Sequence, residues 1–414
     1  MRYYYKEYYN LKNPKEKKEK AMERMNYEST IKTNLEIKPM DQPDIFKLYY
    51  IPTNTTIEII SEISKLDIIL ENLYEDLPGL AQQNFFVEML SQELQSTNEL
   101  EGVRSSKEEI VKTTRKMLNE DNKITKVKAR FKNVIKSYFE LKDGNLKPSI
   151  NSQDCRKIYD EITSDGVSKD DGPDGRYFRK DITYLYKNNK EIHRGVFDGD
   201  ITEELIIDKM NDLLNFIHSS NIGLHSLIKI AISHYYFGYI HPFYDGNGRT
   251  GRFISSIFLK ENYSWLTAMS LSQGCNADRS KYLKIFDTTN QISSQGEINY
   301  FVDEFLSIIL TGQRNILENL IQKSDLLNII TKKIENDDNQ LNEDEKKIML
   351  IMAQEYHFNS SREGIGVKEL KEVFTYTDDT IRSKLKAIYE KGLLDKTKGR
   401  PVKYIISNNY LESK

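Results

Sequence analysis

No proline occurs between Pro242 and Pro401, so nothing along that stretch removes a backbone donor or forces a helix to break. Apolar residues recur at helical spacing there and upstream: Ile57 to Leu73, Phe85 to Leu94, Leu205 to Ile217, Leu227 to Tyr239, Phe253 to Leu259, Phe301 to Leu310 and Ile316 to Ile330. The fold class this predicts is mainly α. One strand pair stands out, Ile182 to Tyr186 and Glu191 to Phe197 around a polar turn of Lys187 to Lys190, after a Gly- and Asp-rich loop from Ser164 to Gly175. It reads as a β-hairpin on a helical body.

At 414 residues the chain is long enough for two or three domains. Hydrophobic residues make up 38% and charged ones 30%, which supports real cores and excludes a disordered polymer. Sixty Lys and Arg against 63 Asp and Glu give a net charge of -3, which excludes a wholesale polyanion binder but leaves room for a local basic patch. Cys155 and Cys275 alone make neither a disulfide scaffold nor a cysteine-rich zinc site. The first residues lack a signal-peptide pattern and no apolar run reaches membrane length, so the expectation is a soluble, cytoplasmic protein without membrane contact. Residues 10–24, where Lys and Glu interleave, read as a solvated helix or tail. A polar, acidic stretch from Glu335 to Glu345 marks the best boundary.

The chemistry concentrates in residues 241–252, His-Pro-Phe-Tyr-Asp-Gly-Asn-Gly-Arg-Thr-Gly-Arg, set between two apolar helical stretches. Gly246 and Gly248 around Asn247 can turn successive N–H groups toward one point as an anion nest. The helix that follows aims its free N–H groups at the same place, and Arg249 and Arg252, three apart, add two guanidinium groups beside it. Asp245 suits Mg²⁺, which prefers carboxylate and phosphate oxygens. His241 is the one group in the segment that takes a proton near neutral pH, and is therefore the candidate base. Phe243, apolar among polar neighbours, reads as the anchor of the loop. A lone Gly-x-Gly would signify only a turn between helices; here eight positions fit one pattern, a chance match on the order of 10⁻⁷.

That pattern, His-x-Phe-x-(Asp/Glu)-Gly-Asn-Gly-Arg-x-x-Arg, resembles the signature of the Fic family, also called Fido proteins, at all eight positions. The resemblance implies transfer of AMP from ATP to a Tyr, Ser or Thr hydroxyl of a protein. His241 would then deprotonate the hydroxyl, Asp245 would bind Mg²⁺, Asn247 with Gly246, Gly248 and Phe243 would form the nucleotide site, and Arg249 and Arg252 would hold the outer phosphates. The kinase-like branch of the family carries Lys where this chain has Gly248, which favours AMP transfer over phosphate transfer. The hairpin at 182–197 stands in the place of the family's flap, which pairs with the target segment. Met269 to Tyr282 lies where relatives line the adenine pocket, with Leu283 where many have a second Tyr. His193, His218, His225 and His234 fit no metal spacing and read as structural or surface residues.

Upstream, Thr97 and Glu101 share a helix face, Gly102 reads as its C-cap, and Ser106 to Glu109 restarts a helix. A carboxylate on a last turn faces the negative end of the dipole and needs a cation, which Arg252 can supply. The run resembles the family's inhibitory motif (Ser/Thr)-x-x-x-Glu-(Gly/Asn) in the class whose inhibitory helix precedes the catalytic core. That implies pairing of Glu101 with Arg252; some relatives also orient a water there to remove AMP from modified targets, which the sequence leaves open for this chain.

From Asp344 onward the pattern is three helical stretches and then two short strands, Leu393-Leu394 and Val402 to Ile406, around the basic turn Asp395 to Pro401. It reads as a winged helix-turn-helix with Thr377 as N-cap of the recognition helix. Eight basic residues against four acidic between Thr377 and Tyr404 make DNA a candidate partner there. The expected organisation is an N-terminal helical region with the inhibitory helix at 1–115, a Fic-type helical core with a β-hairpin flap at 116–334, and a winged helix-turn-helix at 335–414. The expected function is an autoinhibited protein adenylyltransferase using ATP and Mg²⁺ on a target protein or on itself. The competing reading is a DNA-binding transcriptional regulator whose ATP site senses nucleotide. A homodimer is compatible with the sequence.

Overall fold

Helices dominate, as the proline-free pattern predicts. The computed structural model describes residues 2–40, 42–119, 130–187, 190–220, 223–337, 340–398 and 400–412. Positions 188–189 of the expected hairpin turn, 338–339 of the acidic stretch and 399 of the basic turn lie outside the described residues. The N-terminal part holds α1 (Tyr4–Tyr8), α2 (Pro14–Met25), β1 (Ile31–Ile37), β2 (Phe46–Tyr50), α3 (Asn54–Glu75) and α4 (Gly79–Leu100). Then come α5 (Lys107–Asn119), α6 (Lys132–Lys142), α7 (Ser152–Thr163), β3 (Tyr184–Lys187) and β4 (Lys190–Arg194). The centre is α8 (Thr202–His218), α9 (Ser226–Ile240), α10 (Asn247–Lys260), α11 (Trp265–Ala268), α12 (Leu271–Ala277) and α13 (Arg279–Asn290). The chain finishes with α14 (Asn299–Glu335), α15 (Glu343–Phe358), α16 (Val367–Val373), α17 (Asp378–Glu390), β5 (Leu394–Lys396), β6 (Tyr404–Ile406) and α18 (Asn408–Glu412). Two compact units result: Met1–Ile68 with Gln92–Arg314, and Ile69–Ser91 with Asn315–Lys414.

The first unit is organised by α9, which is apolar on every side. Leu227, Ile230, Ala231, Ile232, Tyr235, Tyr236, Phe237 and Ile240 are all buried, as a helix without a polar face must be. It packs against α8, α10 and α13, and α10 in turn packs on α6 and α7. Helix α9 stops because His241 turns left-handed (φ 51°, ψ 64°) while its N–H still bonds Phe237 O at 3.0 Å, and Pro242 cannot continue a helix.

The N-terminal region is not purely helical, and this corrects the sequence reading. Strands β1 and β2 pair antiparallel, with Ile31 opposite Tyr50 and Ile37 opposite Phe46. Thr33, Leu35 and Ile37 bury alternate positions of β1, the period-2 pattern of a half-buried strand. Nor is the charged stretch at 10–24 wholly solvated. Helix α2 is mostly exposed, but Arg24 at its end is buried and pairs with buried Glu297 at 2.6 Å, whose other oxygen accepts the Tyr4 N–H at 2.9 Å. The Tyr-rich first residues are thereby tied down: Tyr4 is fully buried, and Tyr3 and Tyr5 pack on Tyr300.

The second unit has its own core of Ile348, Met352, Leu370, Ile381, Leu385, Ile388, Leu394 and Ile406. Asn342 and Glu345 form a capping box at the start of α15, and Thr377 caps α17 by accepting the Thr380 N–H. Strands β5 and β6 pair antiparallel, and Ile365 bridges Tyr404. Among the described residues no helix is long and apolar enough to cross a membrane.

Candidate functional site

The loop between α9 and α10 is fixed from inside. Phe243 is fully buried, stacked on Tyr159 with ring centroids 3.8 Å apart and tilted against Phe178 at 5.6 Å. The Asn247 side chain closes the loop, its Oδ1 accepting the Phe243 N–H at 2.9 Å and its Nδ2 donating to Phe243 O at 2.7 Å. Asn247 therefore offers an incoming anion its backbone N–H rather than its amide. Gly246 precedes α10 at φ 81°, a conformation open to glycine, and its N–H bonds Asp245 Oδ1 at 2.6 Å. The first-turn N–H groups of α10 have no partner within the helix.

Both arginines of the segment are buried. Arg249 Nη2 lies 3.9 Å from Asp245 Oδ2, and neither Nε nor Nη2 finds a hydrogen-bond partner among the described residues. A buried guanidinium with open donors is costly unless an anion completes it. Arg252 is the opposite case. Its Nε and Nη2 donate to Thr97 Oγ1 at 3.1 and 2.9 Å, and Nη2 also reaches Glu101 Oε1 at 2.9 Å.

Thr97 and Glu101 come from the end of α4, which closes in a Schellman motif: Val103 N bonds Asn98 O at 2.9 Å, Gly102 N bonds Glu99 O at 3.2 Å, and Gly102 has φ 72°. That turn carries the Glu101 carboxylate over the first turn of α10. A Cβ built on Gly248 would stand 2.0 Å from Glu101 Oε1. A side-chain carboxylate thus occupies the spot where a nest and a helix N-terminus favour an anion. One further carboxylate shares this face of α4. Glu93, fully buried, accepts the backbone N–H groups of Ser272 at 3.1 Å and Gln273 at 3.3 Å at the start of α12, and burial pushes its carboxyl up to about 7.

His241 lines one cavity of about 180 Å³ together with Glu101, Gly248, Arg252, His193, Tyr282, Leu283 and Phe286. Desolvation, with His193 and Arg179 adding positive surroundings, lowers its imidazole to about 3, so the ring is neutral at physiological pH. Behind the cavity Ser255 Oγ donates to Gly251 O at 2.8 Å and therefore accepts from His234 Nδ1 at 2.9 Å. This leaves His234 Nε2 to accept from Tyr282 Oη at 2.9 Å.

The hairpin β3–β4 borders the cavity through Leu185 and Ile192. His193 on β4 fastens it to the body, with Nε2 2.9 Å from Tyr239 O, while Tyr184 and Tyr186 point into solvent. The sequence thus brings His241, Asp245, Gly246, Asn247, Gly248, Arg249, Arg252, Thr97, Glu101 and Gly102 to one site. It gave no sign of Arg179, Glu93 or the His193 and His234 linkages, whose partners lie far away in the chain. The other expected structural histidines are anchored similarly: His218 Nε2 meets Ser149 O at 2.8 Å, and His225 accepts the Leu227 N–H.

His193 and His234 are both buried, and desolvation lowers them to about 4 and about 3. Their folded pKa values lie below the unfolded value near 6.5, so the folded state binds fewer protons than the unfolded chain. The stability these rings contribute is then retained above about pH 6.5 and falls as pH drops toward 4, by about 1.4 kcal/mol per pH unit for each ring, while Glu93, with its raised carboxyl, gains as pH falls from 7 and offsets one of them. Thermal unfolding at pH 7.5 and pH 5.5 should show this loss, and His234→Gln should shrink it; equal melting temperatures at the two pH values would contradict it.

Residues 149–259 match the family model described as Fic/DOC family. Among solved structures, the chain is similar to a Fic family protein from Desulfovibrio desulfuricans G20 at 16% identity, covering 87% of this chain and 98% of that one with a TM-score of 0.49. It is also similar to Fic-1 from C. elegans at 17% identity, covering 64% and 75% with a TM-score of 0.42. A Fic-domain-containing signaling protein from Bacteroides thetaiotaomicron VPI-5482 follows at 16% identity, covering 65% and 98% with a TM-score of 0.42. The run Thr97 to Gly102 lies outside the matched residues, whereas all of His241 to Arg252 lies inside them. Over residues 149–259, then, this chain carries a Fic/DOC family domain.

Proposed function

We propose that the protein is a self-restrained adenylyltransferase that moves AMP from ATP to a Tyr, Ser or Thr hydroxyl of a target protein or of its own chain. Fic domain proteins are generally AMP-transferring or related nucleotidyl-transferring enzymes. The observation that carries the finer reading is the Glu101 carboxylate seated on Gly248 against Arg252, in the cavity that His241 lines. A polyphosphate would take the nest and the open donors of Arg249, with Arg252 exchanging Glu101 for the outermost phosphate. The acceptor hydroxyl oxygen then attacks the α-phosphorus, the bond from that phosphorus to the bridging oxygen breaks, and pyrophosphate leaves. His241, neutral beforehand, takes the hydroxyl proton. In-line displacement of this kind depends on positioning and charge neutralisation more than on covalent help.

Among the described residues no three His, Cys, Asp or Glu side chains form a cage for a metal. Asp245, whose side chain is 47% exposed beside the nest, fits the one-carboxylate share of a Mg²⁺ site completed by substrate phosphates. Bound there, the ion would neutralise phosphate charge. For the second unit we adopt the winged helix-turn-helix reading with a docking or regulatory role. Its Asp378 is paired to Lys371 at 2.7 Å and Asp379 to Arg382 at 3.1 Å, which ties up cations that DNA phosphates would need.

The test is incorporation of label from α-labelled and γ-labelled ATP into protein by the wild type and by Glu101→Gly. Only α-label should enter. Entry of γ-label would make the enzyme a kinase. Absence of both, with a tight, salt-dependent DNA complex, would favour the nucleotide-sensing regulator.

A further inference from the structure

We propose that Arg179 is a positioning residue that locks the His241 base to the root of hairpin β3–β4, holding proton acceptor and acceptor-hydroxyl platform in one frame. The inference rests on the transferase reading above.

Arg179 is fully buried, yet no carboxylate hydrogen-bonds to it among the described residues. Its guanidinium is satisfied by backbone carbonyls from three places. Nε donates to His241 O at 2.8 Å and Nη2 to Ile240 O at 3.3 Å, at the end of α9. Nη2 also donates to Val196 O at 2.7 Å just after β4, and Nη1 to Asp181 O at 2.6 Å just before β3. Arg179's own N–H bonds Pro242 O at 3.1 Å. Two more backbone bonds close the frame, Gly195 N to Thr183 O at 3.2 Å and Val196 N to Ile240 O at 3.1 Å. Both legs of the hairpin and the residue that carries the base therefore converge on one planar group.

The residue type follows from this task. Only a guanidinium presents five N–H donors in a rigid planar fork; an ammonium offers three from a single point. Gly195 leaves the room, since a Cβ there would stand 2.3 Å from Arg179 Nη2. His241 itself needs support, because left-handed backbone is unfavourable for a residue with a side chain, and both its carbonyl and that of Pro242 are held by Arg179. Burial without a counter-ion lowers Arg179 to about 10, a cost that a purely apolar filler would avoid. Among the described residues His193 and Arg179 are the groups whose charge lowers the His241 ring, while Glu101, Arg252, Tyr282 and Asp287 also line the cavity.

The test uses full-length Glu101→Gly protein as parent, with Arg179→Lys, Arg179→Gln and Gly195→Ala added singly. Gly195→Ala perturbs the frame from the other side should the arginine variants fold poorly. The readouts are the rate of self-incorporation of AMP at saturating ATP, the KM for ATP, equilibrium ATP binding, and the titration of the His241 ring by NMR. The rate should fall by roughly 10- to 100-fold, the scale of a misplacement near 1 Å, while KM for ATP and ATP binding change less than about twofold. In Arg179→Gln the His241 ring should titrate at higher pH than in the parent. A parental rate in Arg179→Lys, or ATP binding lost in step with rate, would overturn the inference. If the parent transfers no AMP the transferase reading fails, and the NMR titration alone decides: an unmoved His241 ring ends the inference too.

Discussion

Glu101→Gly is expected to raise AMP incorporation by about 5- to 150-fold, the span of a coupling free energy of roughly 1–3 kcal/mol. The substitution takes the carboxylate off Gly248 and off the Nη2 of Arg252, the two places that an outer phosphate would take in the proposed reaction. It leaves the loop itself untouched, because Phe243 and Asn247 fix the loop without help from α4. It has a cost as well. Arg252 is 1% exposed, and without Glu101 the Thr97 oxygens and the Tyr282 ring beside it are uncharged, with Glu93 more distant. A buried cation stripped of its partner destabilises the fold, so the variant should melt below wild type in the absence of nucleotide. ATP supplies the missing anion, and by linkage it should raise the melting temperature of Glu101→Gly more than that of wild type. Thermal shift with and without ATP, beside label incorporation, reads both effects. A variant that binds ATP no better than wild type and incorporates no more label would remove the restraint reading.

Much of this site was legible because its chemistry is local. Twelve consecutive residues, 241–252, carry a histidine, two glycines around an asparagine and two guanidinium groups, and the six residues from Thr97 to Gly102 carry a helix end whose carboxylate needs a cation. Helices were legible for a similar reason, since 3.6-residue periodicity repeats over many turns. The pieces that escaped depend on distant partners. Arg24 meets Glu297 across 273 positions, so its place in a Lys- and Glu-rich run looked like any solvated charge. Among the described residues Arg179 bonds only backbone carbonyls in its fork, which leaves no complementary side chain there for a sequence to reveal. Strand β1 alternates over seven residues, but Lys32, Asn34 and Glu36 on its outer side and the prolines 39 and 43 beyond it resemble an irregular polar segment. Its register is set by β2 and by the packing of β1 on α8.

His241→Ala, made in the Glu101→Gly background, should cut the rate of AMP transfer by about 10²- to 10⁴-fold, the usual contribution of a positioned general base. ATP binding should be retained, because in the proposed site the phosphate groups would rest on the α10 N-terminus, Arg249 and Arg252 and not on the imidazole. The geometry makes this separation sharp: His241 lies at the end of α9, its N–H bonded to Phe237 O and its carbonyl to Arg179, so deleting the ring leaves both backbone anchors in place. The substitution does not relieve the left-handed backbone either, since alanine tolerates it no better than histidine. The pH profile adds a second signature. In the free protein a ring held near 3 by burial is already unprotonated across the physiological range, so kcat/KM should be insensitive to this group between about pH 6 and 8. Binding a polyanion beside the ring raises its pKa toward neutrality, which makes it a better proton acceptor only once substrate is present. Equilibrium ATP binding and single-turnover transfer, measured on the same variant, test the two halves separately. Undiminished transfer would take the base role from His241, and lost ATP binding would place the ring among the phosphate ligands.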